Sequence, residues 1–321
     1  MTPRVPRLRY RPVMRGDLAE CFELLPPWLG LDAATARALP RLWENLVDEP
    51  SMVSGVMEDL ASPPRQRIQG WGVTLILPQE LVQTLRLDEQ PPAFLARRVY
   101  AALNDGSLRP MSDRDIGVEN ARGSLTMLIL HFSHRALDTS NPYAHSIIAV
   151  ANDAFRAFHD GYNLRAIYYE CGARDELIAA SSGFEAGRYA DQDALTVLPL
   201  ENRPAFWGLT REQAKSRLPG SPARNSFEHH PPLFRFSASQ RRLLWLALFD
   251  ESDETLLSLL DVSVHGLKKL WRGIYERIED RSPEFFGDSS GDEEGKRGPE
   301  KRRQVLAYVR QRPEELRPWT A

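Results

Sequence analysis

Apolar residues recur at spacings of three and four along residues 236–280, and this period predicts three consecutive helices. Ser237 or Ser239, Ser252 or Asp253, and Ser263 precede the three runs, and residues of this kind accept hydrogen bonds from the free amides at a helix start. The predicted buried positions of the three helices are, in order, Leu243, Leu244, Leu246, Ala247 and Leu248; Leu256, Leu257, Leu259 and Leu260; and Val264, Leu267, Trp271, Ile274 and Ile278.

The third predicted helix carries basic residues opposite its apolar stripe, at His265, Lys268, Lys269 and Arg272. Two short helices, a tight turn and a longer helix with a basic face are typical of a helix-turn-helix, whose second helix enters the DNA major groove. Because cations neutralise phosphates and reach guanine edges, we predict that Lys268, Lys269 and Arg272 contact DNA. His265 is predicted to meet a base or a phosphate. The alternative is an ordinary solvated helix face.

This stretch resembles the LuxR-type helix-turn-helix domain of bacterial transcription regulators. Residues in register with that family are Val262, Ser263, Gly266, Leu267, Lys268, Ile274, Arg277 and Ile278. The chain departs from the family where Glu254-Thr255-Leu256-Leu257 replaces its Lys-Glu-Ile-Ala, and where Gly266 and Leu270 replace its Thr and His. The resemblance implies a DNA partner and a fourth helix that mediates dimerisation.

Residues 1–200 alternate between strand and helix patterns, which predicts a mixed α/β domain. The predicted strands are 8–13, 51–58, 67–77, 124–132, 163–171 and 194–200. The predicted helices are 18–25, 33–47, 93–103, 144–160 and 175–180, and residues 108–123 have the composition of a loop. The fold class is therefore α/β with a mixed sheet, followed by an all-α helix-turn-helix domain.

The order of these elements resembles the GNAT-type acetyltransferase fold, and the segment from Arg9 to Leu18 is similar to that family's first strand and helix. The resemblance implies that strand 124–132 and helix 144–160 form the cofactor-binding pair. The family cradles pyrophosphate in a Gly-rich loop, because only Gly lets backbone amides approach the anion closely. Residues 134–143, HRALDTSNPY, contain no Gly, and Asp138 would repel phosphate. We therefore expect a sensor or scaffold domain with no catalytic residues and no cofactor.

Residues 201–235 are predicted to be a linker, because five prolines lie among polar residues there: Pro204, Pro219, Pro222, Pro231 and Pro232. The chain is thus divided into a GNAT-like domain, 1–200, the linker, 201–235, and a helix-turn-helix domain, 236–321. A last helix is predicted to start at Pro299 and to be the candidate surface for a homodimer. Its apolar residues are Val305, Leu306, Tyr308 and Val309.

The net charge, the cysteine count and the length of the apolar runs add a few constraints on the partners and the location of the protein. The net charge is −3, so affinity for nucleic acid has to come from local segregation of charge, and residues 263–281 hold five basic and three acidic side chains. The two cysteines, Cys21 and Cys171, exclude a disulfide framework. No apolar run is long enough to span a bilayer, so we expect a cytoplasmic protein with no membrane partner.

Other polar residues give weaker signals for chemistry. His131 and His134 are three residues apart, and on a strand they would face opposite ways and could not chelate together unless the strand ended between them. His229-His230 has no companion ligand, so no metal site is expected. Cys171 has no base nearby in sequence and is predicted to be buried. By analogy with the fold alone, Arg135, Asp138, Tyr143 and Tyr189 are candidates to line a pocket for an unknown small molecule.

The leading functional hypothesis is a DNA-binding transcription regulator whose α/β domain is a sensor or scaffold. One alternative is an acyl-CoA-dependent N-acyltransferase with an appended helix-turn-helix. Another is a protein-interaction module built on a degenerate helix-turn-helix, which the departures from the family pattern keep open.

Overall fold

The computed structural model describes residues 6–135, 140–249, 252–287 and 294–320. Within these ranges seven strands form one sheet in the order β1-β2-β3-β4-β5-β7-β6. Strands β4 and β5 are parallel and the other pairs are antiparallel, so the predicted mixed sheet is present. The strands are β1 Leu8–Pro12, β2 Met52–Asp59, β3 Ile68–Leu77, β4 Leu125–His134, β5 Leu164–Gly172, β6 Glu185–Ala186 and β7 Pro204–Thr210.

Ten helices of the described ranges connect or cover these strands. They are α1 Leu18–Phe22, α2 Ala33–Leu46, α3 Gln79–Thr84, α4 Leu95–Asp105, α5 Asp113–Arg122, α6 Pro142–His159, α7 Glu176–Ser181, α8 Gln192–Leu195, α9 Arg211–Lys215 and α10 Pro222–Asn225. Both faces of the sheet are covered. Leu128 and Leu130 of β4 belong to the core cluster that contains α2 and α4, whereas Met127 and Ile129 belong to a second cluster on the opposite face. This double burial explains why β4 is a continuous hydrophobic run.

Strands β4 and β5 pair only over part of their length. Their register runs from Leu125–Leu164 to Ile129–Tyr169. Beyond that point β4 continues beside β3, while β5 continues beside β7. The two strands therefore diverge towards their carboxyl ends and leave an opening in the middle of the sheet.

Three predictions for the α/β domain are wrong. Residues 108–123 contain α5, which Ser112 caps by accepting from the Asp115 amide. The predicted strand 194–200 does not form, since this stretch starts with the end of α8. The last long strand is β7, so the predicted linker 201–235 is not an open linker: β7, α9 and α10 lie within it. Pro204 is compatible with a strand because it is the first residue of β7.

The carboxyl-terminal part is helical: α11 Ala238–Ala247, α12 Asp253–Leu260, α13 Val264–Arg281 and α14 Glu294–Gln311. The three predicted helices of residues 236–280 are confirmed, and the last helix starts at Glu294 instead of Pro299. A separate cluster of apolar side chains, including Leu244, Ile274 and Val309, forms the core of this unit. We refer to residues 233–320 as the helical unit.

The helical unit packs against the α/β domain through polar and aromatic contacts. Arg241 Nη2 donates to both carboxylate oxygens of Asp113 in α5, at 2.6 and 2.7 Å. The Phe158 ring of α6 lies edge-on to Trp245, with 4.9 Å between ring centroids. None of the helices in the described ranges is both long and apolar enough to cross a membrane.

Candidate nucleic-acid interface and candidate ligand cleft

Helix α13 starts directly after a tight turn, as its sequence predicts. Asp261 ends α12 in the left-handed conformation, with φ of 50°. Ser263 then caps α13, since its Oγ accepts a hydrogen bond from the Gly266 amide at 3.1 Å. These two residues set the direction in which α13 leaves the turn.

The inner face of α13 is buried in the helical unit. Leu267, Trp271, Ile274 and Ile278 are all buried, and Ile274 and Ile278 have no exposed surface. Val264 was predicted to belong to this stripe, but 58% of it is exposed. It is the first residue of α13 and follows the exposed cap Ser263.

The outer face of α13 presents His265, Lys268, Lys269 and Arg272, all of them exposed. Their spacing of three and four residues places them on one side of the helix. None of the four side chains makes a hydrogen bond or an ion pair with any residue that the structure describes. The three cations are therefore available to an anionic partner, and we call these four residues the α13 basic face.

Helix α14 was the candidate surface for a homodimer. Val305 and Val309 have no exposed surface, because they pack into the core of the helical unit. Leu306 and Tyr308 are half-buried. Dimerisation through this helix stays a prediction.

A cleft of about 570 Å³ opens beside the carboxyl ends of β4 and β5. Trp28, His134, Arg135 and Asp175 contribute to its wall. His134 Nε2 lies 3.6 Å from Asp175 Oδ1. Arg135 is held by an ion pair with Glu20 at 2.7 Å and donates a further hydrogen bond to the Ile68 carbonyl at 2.8 Å. The Arg135 guanidinium is thus engaged by the protein itself.

The residues predicted to line a ligand pocket do not form one group. Arg135 is at the cleft, whereas the Tyr143 hydroxyl donates to Asp59 Oδ2 at 3.1 Å. Tyr189 lies in the core on the α2 and α4 side, where its hydroxyl donates to Glu170 Oε1 at 2.8 Å. Asp138 lies outside the described residues.

Glu170 is a fully buried acidic residue to which the sequence interpretation assigned no role. It has no exposed surface and accepts hydrogen bonds from the Leu95 and Ala96 amides, both at 2.7 Å, at the amino end of α4. Burial raises the pKa of Glu170 to about 7, against the opposing effect of these hydrogen bonds. An acidic residue among the apolar and aromatic residues of 166–171 was the available sequence signal. Its partner segment, 75 positions away for Leu95, could not be inferred.

His131, His229 and the two cysteines are packed among other side chains of the protein. His131 is buried, with Nε2 2.9 Å from the Tyr100 hydroxyl, and burial lowers the pKa of this imidazole to about 3. His229 stacks on Trp319, with 5.1 Å between ring centroids. Cys21 and Cys171 are buried, as predicted for Cys171, and burial raises the pKa of both thiols. Among the described residues, no three His, Cys, Asp or Glu side chains are grouped so that they could hold a metal ion.

Comparison with known proteins gives similar solved structures only. No family model and no curated protein matches the chain. The NatC complex bound to Gag peptide and CoA is similar at 11% identity and a TM-score of 0.35, covering 64% of this chain and 98% of that one. A mutant form of the spermidine N-acetyltransferase SpeG from Vibrio cholerae is similar at 12% identity and a TM-score of 0.35, covering 65% and 95%.

The aminoglycoside acetyltransferase AAC(6')-Ib in complex with coenzyme A is similar at 14% identity and a TM-score of 0.30, covering 65% of this chain and 98% of that one. At these identities and TM-scores the similarity carries no argument about what this chain binds or does. The fold assignment rests on the strand order and directions described above.

Proposed function

We propose that this protein binds duplex DNA through the α13 basic face and acts as a transcription regulator, with the α/β domain as its scaffold. The observation that carries the proposal is the set of three exposed cations, Lys268, Lys269 and Arg272, which have no partner among the described residues. The helix that bears them follows a short helix and a tight turn, and a major groove is wide enough to admit such a helix.

Energetics favour this use of the basic face over a purely structural one. A cation that binds phosphate releases condensed counterions, and this gain is available only to a side chain that is not already paired. The net charge of the whole chain is −3, so binding would depend on this local surface instead of a general attraction. Glu276 lies one turn after Arg272 but forms no ion pair with it, so it leaves that guanidinium free to bind.

The experiment is fluorescence anisotropy with a labelled pool of genomic DNA fragments. The variant K268A/K269A/R272A is expected to bind roughly a hundredfold more weakly than wild type, because it loses several phosphate or base contacts. The matched control is R122A/K215A/R303A, which removes the same charge from exposed positions elsewhere. It should bind within about threefold of wild type.

Equal binding by wild type and K268A/K269A/R272A would contradict the proposal. Absence of DNA binding by the wild-type protein would also contradict it, and would leave the protein-interaction module as the function of the helical unit. A pull-down of protein partners with the full chain as bait is then the appropriate experiment.

A second candidate function is binding of an acyl-CoA, with or without acyl transfer, in the cleft beside β4 and β5. The observation that favours it is the divergence of these strands after Ile129 and Tyr169, which opens a space of about 570 Å³. The Gly-free sequence of residues 134–143 argues against tight pyrophosphate binding. Calorimetric titration with acetyl-CoA distinguishes the two, since no heat and no thermal shift would reject this function.

A further inference from the structure

A second, mostly hydrocarbon cavity lies on the sheet face that α6 covers. Its volume is about 110 Å³, and Val53, Gly72, Ile129, Ile148, Phe155 and Phe184 contribute to its wall. Protein interiors contain few voids larger than a water molecule, so a space of this size between a sheet and its covering helix is unusual. It is separate from the cleft beside β4 and β5, with which it shares only Phe132.

Two glycines account for the empty space. Gly55 and Gly72 are direct cross-strand neighbours in β2 and β3, so neither contributes a side chain to this face. Phe158 occupies the position over Gly55, where an added Cβ would lie only 2.5 Å from its ring. An added Cβ at Gly72 would meet no atom within 4 Å. The cavity is thus the volume over Gly72 that Phe158 does not fill.

The cavity is accessible from outside. Val53, Gly55 and Gly72 lie in central strands and would normally be fully covered, yet all three are only half-buried. Ile148 and Phe155 of α6 are half-buried in the same way. Apolar groups left partly open in the middle of a sheet face are expected to gain free energy when a hydrocarbon covers them.

The polar groups of the wall restrict the chemistry of an occupant. His159 Nδ1 donates to the Phe155 carbonyl at 2.7 Å, and its Nε2 accepts from the Thr74 hydroxyl at 2.9 Å, so this imidazole has no free hydrogen-bonding position. Burial lowers the pKa of His159 to about 4, which keeps it neutral. The Tyr169 hydroxyl makes no hydrogen bond with a described residue and stays protonated, because burial raises its pKa. Of the other polar side chains in the wall, Ser182 donates to the Ile178 carbonyl at 2.8 Å and Asn152 is exposed. A charged ligand would find no counter-charge in this wall, whereas an acceptor in its buried part could pair with Tyr169.

We propose that this cavity binds a small uncharged aromatic or alkyl molecule that carries one hydrogen-bond acceptor, with the Tyr169 hydroxyl as donor. The proposal does not depend on DNA binding. The ligand would touch Phe158, whose ring also contacts Trp245 of α11, so the site adjoins the surface on which the helical unit packs.

The test uses acetophenone as probe, with benzoate as a charged molecule of similar shape and toluene as one without an acceptor. Calorimetry and ligand-observed NMR should detect acetophenone binding to the full chain, with benzoate at least about tenfold weaker. Tyr169→Phe should weaken acetophenone by roughly three- to tenfold and leave toluene unchanged, as expected for one lost hydrogen bond.

Gly72→Val is the blocking variant, because its side chain would occupy the open volume without a backbone clash. It should keep the wild-type circular dichroism spectrum and lose acetophenone and toluene binding. Gly72→Ala adds one methyl group and should weaken both severalfold, which keeps the test decisive if the valine variant does not fold. The proposal is overturned if the wild-type protein binds neither neutral probe, or if Gly72→Ala and a folded Gly72→Val bind as tightly as wild type.

Discussion

Two basic clusters of the helical unit differ in what their charges do. In α14, Lys301 pairs with Glu279 at 2.5 Å, Arg302 with Asp253 at 2.5 Å and Arg303 with Glu300 at 2.8 Å. In α13, Lys268, Lys269 and Arg272 have no such partner among the described residues. Each cluster contains three cationic side chains, so the number of charges does not distinguish them. Only the second has cations that a ligand can use without first breaking a bond within the protein.

The α14 cations also pack against aromatic rings. The Arg302 guanidinium lies 4.8 Å from the ring centroid of Trp271, and the Lys301 ammonium lies 4.6 Å from that of Phe286. Trp271 belongs to the buried inner face of α13. The α14 cluster therefore helps to hold α13 in place, while the outer side of α13 remains available.

The greatest loss of stability is expected from a substitution in the apolar core of the helical unit, into which both α13 and α14 pack. Ile274 has no exposed surface and lies at the centre of the inner face of α13, so Ile274→Ala should lower the free energy of unfolding by about 2–5 kcal/mol. Urea unfolding followed by circular dichroism measures this loss. Lys269→Ala is the control on the outer face and should change stability by less than about 0.5 kcal/mol. Equal effects of the two substitutions would show that the inner and outer faces are wrongly assigned.

The second prediction concerns the carboxyl group of Glu170, which is buried inside the α/β domain. The pKa of Glu170 is about 7 in the folded protein, and its ordinary value is 4.5. Between about pH 4.5 and 7 the native state therefore keeps a proton on this carboxyl group that the unfolded state has released. Stability from this group is therefore present below about pH 4.5 and is lost as pH rises through about 7, by up to roughly 3 kcal/mol.

Glu170→Gln should remove this slope, and urea unfolding at several pH values measures the difference between variant and wild type. His159 acts in the opposite direction, since its pKa is lowered to about 4 and its stability is lost as pH falls. It is common to both proteins and cancels in the difference. A wild-type slope that Glu170→Gln leaves unchanged would contradict the assigned pKa.

The smallest effect compares one arginine from each cluster. Arg302→Ala loses an ion pair and a cation–π contact and should destabilise the protein by about 1 kcal/mol. Arg272→Ala should change stability by less than about 0.5 kcal/mol, because its side chain has no partner to lose. Thermal unfolding of the two variants side by side checks this order. If Arg272→Ala is the more destabilising change, the basic face has a structural role.

The sequence predicted the elements that bury a whole stripe or a whole strand. Period and capping residues were enough for the three helices of residues 236–280, and a continuous apolar run was enough for β4. Helix α5 was missed because it buries only Ile116, Gly117 and Asn120, which is too little for a visible stripe. Strand β7 was missed because it lies in the proline-rich stretch 201–235, which suggested a linker, although it pairs with β5 along its whole length.

The candidate sites also differ in whether local sequence was enough to predict them. The exposed positions of α13 follow from helical period alone, so they could be identified from residue spacing. The environment of Glu170 depends on the start of α4, and the apolar cavity depends on Gly55 facing Gly72 across two strands. Such long-range pairings are set by tertiary packing, and no local pattern in the chain encodes them.

If the α13 basic face binds DNA phosphates, as we propose, the affinity for DNA must fall as the salt concentration rises. Fluorescence anisotropy between about 50 and 200 mM salt gives the slope of log affinity against log salt concentration, to which each phosphate contact contributes about −0.9. We expect the slope for K268A/K269A/R272A to be shallower than that of wild type by about 2 to 3, and R122A/K215A/R303A to keep the wild-type slope. Identical slopes for wild type and K268A/K269A/R272A would contradict it.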